Sequence, residues 1–90
     1  MAHILRDKPK LLARVKRLQG QTNALEKLLD DGTECAEILQ QIAAIRGAVN
    51  GLMAAVMEGH LNDHLVKEPS QKHREEELGV VLQVIKSYLK

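Results

Sequence analysis

Apolar residues along this chain recur every three or four positions, and three such stripes account for nearly all of it. Leu11, Leu12, Val15, Leu18, Leu25, Leu28 and Leu29 make the first stripe and predict a helix over residues 8–31. Pro9 suits its first turn, where a missing N–H is no loss. Gly32, in the turn Asp30-Asp31-Gly32, ends it. Thr33 can cap a second, long helix, expected over residues 33–66. Its stripe is Ile38, Ile42, Ile45, Val49, Leu52 and Val56, stepping by four and three in turn as in a coiled coil. Residues 67–73 read as a polar linker broken by Pro69. A third helix is expected over 74–89, with Leu78, Val81, Leu82, Ile85 and Leu89 on its apolar face. Residues 1–7 read as a flexible N-terminal arm. The pattern predicts one all-α domain without strands or internal repeats.

Composition shows how thin the core of such a domain is. The chain has 90 residues, neither Phe nor Trp, and Tyr88 as its only aromatic residue. Small domains of this kind are usually helped by oligomerisation. Gly47, Gly51 and Gly59 each weaken the second helix by about 1 kcal/mol, which packing must offset. The run Ala43, Ala44, Gly47, Ala48, Gly51, Ala54 and Ala55 allows a partner helix to come close.

Charge is unevenly spread. Six basic residues against one acidic residue give positions 1–20 a net charge of +5, although the whole chain carries only +1. An anionic partner is expected at that end. Arg6, Lys10, Arg14 and Arg17 follow at spacings of four, four and three, and Lys16 widens the stripe. Such a face is either merely solvated or matched to phosphates, with salt-dependent binding of double-stranded DNA. With no aromatic residue in the basic stripe for stacking, single-stranded nucleic acid is disfavoured. The lone cysteine excludes an internal disulfide and fits a reducing compartment. With no apolar signal region and no segment long enough to span a bilayer, the chain reads as cytosolic.

The second stripe carries the candidate chemistry. Extended forwards it reaches His60 and His64, which sit four apart on one helical face; extended backwards it reaches Cys35. A lone Cys or His on an apolar seam is commonly a packed core residue. Two imidazoles need two buried hydrogen-bond solutions and are harder to explain that way. In one helix, a rise of 1.5 Å per residue separates Cys35 from His60 by about 37 Å. Two copies crossing antiparallel would bring Cys35 of one beside His60 and His64 of the other. The crossing would fall near residues 48–49, inside the small-residue run. An antiparallel dimer with a four-helix-bundle core and two interfacial metal sites is therefore expected. His3 is either a tail residue or a further ligand on an arm that closes over the metal; the small second residue permits removal of Met1, and the amine then freed on Ala2 can join it. One thiolate with several nitrogens suits Ni(II), Co(II) or Zn(II) better than Cu(I), Mg(II) or Ca(II). Five or six ligands would favour Ni(II) or Co(II) over tetrahedral Zn(II). Glu34 and Asp63 flank the site and either tune it from outside the ligand set or are solvated helix positions, the second being expected. Met53 and Met57 fit packing, and His73 reads as a solvated linker residue. No Gly-rich loop or paired acid and base points to an enzyme.

The segment from Cys35-Ala36-Glu37-Ile38 through Arg46-Gly47-Ala48-Val49-Asn50-Gly51-Leu52-Met53 closely resembles the second helix of the CsoR/RcnR family of metal- and formaldehyde-responsive repressors. Arg14-Val15-Lys16-Arg17, Gln19-Gly20-Gln21 and the closing Ser87-Tyr88-Leu89-Lys90 extend the resemblance over the whole chain. It implies a three-helix protomer assembled as a dimer of dimers that binds operator DNA without effector and releases it with effector. Basic residues matching Arg14 and Arg17 are implicated in DNA binding, and Lys10 and Lys16 lie beside them. Copper sensors of the family carry Cys where His64 stands, and persulfide sensors carry Cys where His60 stands. Formaldehyde sensors typically lack a His at position 64. The set His3, Cys35, His60 and His64 looks like the nickel/cobalt branch, whose members control cation efflux. Two other readings stay open. One is a formaldehyde-responsive repressor in which Cys35 reacts; the other is a metal storage or delivery protein with an incidental basic helix.

Overall fold

The first two apolar stripes meet in an antiparallel helical hairpin. The computed structural model describes residues 2–89, and side chains of residues 4–89. Helix α1 spans Ala2–Asp30 and α2 spans Cys35–Leu61. A π-helical turn over Asn62–Val66 continues α2, and α3 spans Gln71–Tyr88. No strand occurs among the described residues, and the three-helix, all-α expectation holds. Three contacts set the register of the hairpin. Gln41 Nε2 donates to the Gln21 carbonyl at 3.0 Å, Arg14 Nη1 lies over Gly51, and Arg6 meets Asp63. Ile4, Leu11, Val15, Leu18, Leu25 and Leu28 of α1 are half-buried in this hairpin, and Gly59 of α2 is fully buried.

The hairpin turns on a Schellman motif. The Thr33 N–H donates to the Leu28 carbonyl at 3.0 Å and the Gly32 N–H to that of Leu29 at 3.3 Å. Gly32 takes φ +67°, the left-handed conformation this motif demands and glycine supplies without strain. Thr33, expected to cap α2, is thus used to close α1. Glu34 stands at the N-cap position with no side-chain hydrogen bond to the helix.

Helix α1 starts at Ala2 and carries Pro9 inside it, whereas residues 1–7 were expected to be an arm. Pro9 removes one backbone hydrogen bond and crowds the preceding turn. What offsets this is tertiary: Ile4 and Asp7 are half-buried, and Arg6 is tied to the far end of α2. Such anchors are invisible to a local reading. Helix α3 starts earlier than expected for a related reason. Ser70 caps it, its Oγ accepting from the His73 N–H at 3.3 Å. Arg74 donates to the carbonyls of Glu68 and Pro69 at 2.7 and 2.9 Å and closes the turn. His73 therefore sits in the first turn of α3 and not in a linker, though its side chain is exposed.

Helix α3 lies against the C-terminal half of α2. Val81, 6% exposed, is the deepest apolar side chain among the described residues. It lines a cavity of about 260 Å³ with Met53, Val56, Met57 and His60. Tyr88 Oη hydrogen-bonds Asn50 Oδ1 and pins the end of α3 to mid-α2. Ile85 is half-buried, and the remainder of the expected apolar face is not covered: Leu78, Leu82 and Leu89 are exposed.

The protomer is a slab measuring 55 × 30 × 13 Å, and its thickness is about that of one helix with its side chains. Its radius of gyration is 17.1 Å, against about 12 Å for a compact chain of this length. It exposes 6891 Å², where a compact monomer of this mass exposes about 5,200 Å². Ile42 (46% exposed) and Val49 (40%) lie open in the middle of α2. The stripe from Ile38 to Val56 is therefore split in one chain, part of it packed within the protomer and part of it bare. Among the described residues no helix is long and apolar enough to cross a membrane.

Candidate metal centre and nucleic-acid interface

Helical spacing brings His60 and His64 together as expected. Their ring centroids are 4.6 Å apart and their planes are tilted by 45°. The backbone beneath them is not the regular helix the pattern predicts. His60 lies in the last turn of α2 and His64 in the π turn, where the Lys67 N–H reaches back five residues to the Asn62 carbonyl at 3.0 Å. A π turn inserts one residue and recurs at functional sites. The insertion rotates the residues beyond it by about 100° about the helix axis.

His60 is half-buried, its side chain 20% exposed, between α2 and α3. Its Nε2 lies 3.0 Å from Glu77 Oε2. A carboxylate against one ring nitrogen orients an imidazole and raises the basicity of the other nitrogen. In sequence Glu77 was one member of the acidic run 75–77, and nothing local distinguishes it. Only the docking of α3 brings it to His60.

Asp63 departs from the sequence expectation. Its side chain is 11% exposed, and it pairs with Arg6 Nη1 at 3.2 Å and with Lys67 Nζ at 4.0 Å. It is an anchored carboxylate and not a solvated one. Glu34 is exposed, as expected.

Cys35 is a free, exposed thiol at the first position of α2. The helix between it and His60 is uninterrupted, so a rise of 1.5 Å per residue keeps them about 37 Å apart in one chain. Among the described residues no three His, Cys, Asp or Glu side chains converge on a point that could hold a metal ion. The His3 side chain, a further candidate ligand, lies outside the described residues. The donor types themselves, an accessible thiol and two neighbouring imidazoles, fit a borderline divalent ion such as Ni(II), Co(II) or Zn(II).

Lys10, Arg14, Lys16 and Arg17 are all exposed on α1. Arg14 leans across α2 where Gly51 leaves room: a Cβ on Gly51 would meet Arg14 Nη1 at 3.0 Å. Arg6 is exposed as well, but it is engaged by two acids of its own chain. The carboxylate of Asp7 first, and then that of Asp63, hold its pKa above the ordinary value by hydrogen bonding.

A slab of three helices with a cationic first helix, and with a thiol and two imidazoles at opposite ends of the second, corresponds to a known class of regulator. The profile of the family described as metal-sensitive transcriptional repressors matches residues 7–87, and the chain belongs to that family. Its relatives include the transcriptional repressor RcnR of Salmonella paratyphi B, 57% identical over 90 residues and covering 100% of both chains. The RcnR homolog of Escherichia coli O139:H28 is 58% identical over the same full span. Among solved structures, a glutamate-to-histidine variant of the formaldehyde-responsive regulator FrmR from Salmonella enterica serovar Typhimurium matches with a TM-score of 0.84 and 44% identity. That match covers 92% of this chain and 94% of the other. The family resemblance read from the sequence is confirmed: the chain is a metal-sensitive transcriptional repressor with the same protomer fold as FrmR.

Proposed function

We propose that this repressor binds double-stranded operator DNA when metal-free and releases it on binding Ni(II) or Co(II), so that cation efflux is derepressed. Cys35 of one protomer and His60 and His64 of another would hold the ion, with His3 and the amine of Ala2 as further ligands. Bound there, the ion would tie two protomers together through a thiolate and imidazoles. Lys10, Arg14, Lys16 and Arg17 of several protomers would face the DNA phosphates.

The observation that carries this reading is the geometry of α2. Its thiol stands at one end of α2, His60 in the last turn at the other end and His64 in the π turn that continues it, and Ile42 and Val49 are bare between them. An antiparallel second copy would cover that bare face and close both sites at once. The slab shape and its excess surface support the same assembly, with a homotetramer as the final state. The nickel/cobalt preference rests on the donor set and on the full-length likeness to RcnR. Because the coupling is reciprocal, operator DNA must weaken metal binding by the factor by which metal weakens DNA binding.

The test is a Co(II) titration of the reduced, metal-free protein followed by absorbance, for the native chain and His64→Ala. Sulfur-to-cobalt charge transfer with weak d–d bands, lost or altered in the variant, is the expected result. Strong d–d bands would indicate a tetrahedral site and Zn(II). A second reading, a formaldehyde-responsive repressor, is favoured by the likeness to FrmR and by the exposure of Cys35. It would leave Cys35 unligated by cobalt and His64→Ala tolerated.

A further inference from the structure

Among the basic residues spaced along α1, Arg6 is held by acids of its own chain. Its Nη1 lies 3.3 and 3.2 Å from Asp63 Oδ1 and Oδ2. Its Nε and Nη2 each lie 3.4 Å from an oxygen of Asp7. Asp63 is the anchored partner, its side chain 11% exposed, whereas that of Arg6 is 51% exposed. Arg6 also sits four residues before Lys10 and eight before Arg14, in line with the face assigned to phosphate. Carboxylate and phosphate offer a guanidinium the same paired oxygens, and the Nη1 that lies on Asp63 is the group a phosphate would have to take over, Nε and Nη2 being on Asp7.

We infer that Asp63 is an intramolecular competitor of operator phosphate for Arg6. In the released repressor Arg6 lies on Asp63; on DNA it turns outward to a phosphate. Two features make the exchange feasible. Arg6 is half-exposed, so it leaves without opening the core. Lys67, one turn beyond Asp63 and already 4.0 Å from it, remains to balance the carboxylate. Asp63 is also the immediate neighbour of His64 in the π turn. Any change in that turn therefore shifts the hold on Arg6, which gives the candidate metal site a direct grip on the start of the basic helix. The inference rests on the proposed operator binding.

A double-mutant cycle tests it, using Arg6→Gln, Asp63→Asn and the double variant in the full-length protein. Binding of a fluorescent duplex, selected by the metal-free protein from a random library, is followed by anisotropy over a range of salt concentrations. Competition predicts that Asp63→Asn tightens metal-free binding severalfold and that Arg6→Gln weakens it. Arg6→Gln should also flatten the slope of log K against log salt by about 0.9 for each protomer whose Arg6 engages a phosphate. Arg6→Lys should restore most of that slope. In the Arg6→Gln background, Asp63→Asn should have no further effect. If Asp63→Asn tightens binding equally in both backgrounds, only the general loss of a negative charge is being read, and the competition is overturned. If Arg6→Gln leaves the salt slope unchanged, Arg6 makes no phosphate contact and the inference also fails. A parallel arm with Co(II) distinguishes failure of the competition from failure of the effector reading. A native chain that cobalt does not release overturns the effector reading, while the metal-free cycle still decides the competition.

Discussion

If each metal site draws Cys35 from one protomer and His60 with His64 from another, two inactive variants must complement each other. Cys35→Ser removes the thiolate from both sites of a dimer. The double variant His60→Ala with His64→Ala removes both imidazole pairs. Alone, neither should show the sulfur-to-cobalt charge transfer of an intact site. Unfolded together and refolded in equal amounts, they should form about half heterodimers, because a two-fold interface makes each copy a partner for either kind. In a heterodimer one site loses its thiolate and both of these imidazoles, and the other keeps the thiolate of one chain and both imidazoles of its partner. The intact charge-transfer signal should therefore return to about a quarter of that of the native protein, set by the two-fold count alone. The magnitude follows from the separation in the structure: with Cys35 and His60 about 37 Å apart along one rigid helix, a chain cannot repair itself. The assay is cobalt absorbance of the refolded mixture against each variant refolded alone. No recovery in the mixture, with heterodimers verified by mass, would refute the cross-protomer site.

Three further outcomes are expected. Gly32→Ala forces a Cβ into the left-handed conformation at φ +67° and should cost about 1–2 kcal/mol, read as a lowered melting temperature with Co(II) binding by the folded protein unchanged. Val81→Ala, at the most buried apolar position of α3, should cost about 2 kcal/mol and loosen α3. Faster hydrogen exchange across Gln71–Tyr88 than across α1 would register it. Glu77→Gln takes the carboxylate from His60 Nε2 and should weaken Co(II) binding about 10–100-fold, measured by competition with a chelator; unchanged affinity would mean that Glu77 does not orient the ring.

The features legible along the chain were those that repeat with the helix itself. Apolar spacing marked the three helices, Gly32 marked the turn between the first two, and the i, i+4 spacing of His60 and His64 placed their rings together. The thiol at the far end of the same stripe already implied a second chain, because helix length follows from residue count. The tertiary structure decided the contacts between partners distant in sequence. Arg6 and Asp63 meet only because α1 folds back along the whole of α2. Glu77 reaches His60 only because α3 docks on α2. The π turn beneath His64 lies where Arg6 of α1 meets Asp63 and where α3 packs against it. Periodicity is a property of the backbone and is written locally. The choice of which acid meets which cation belongs to packing, which brings together residues that no local pattern relates.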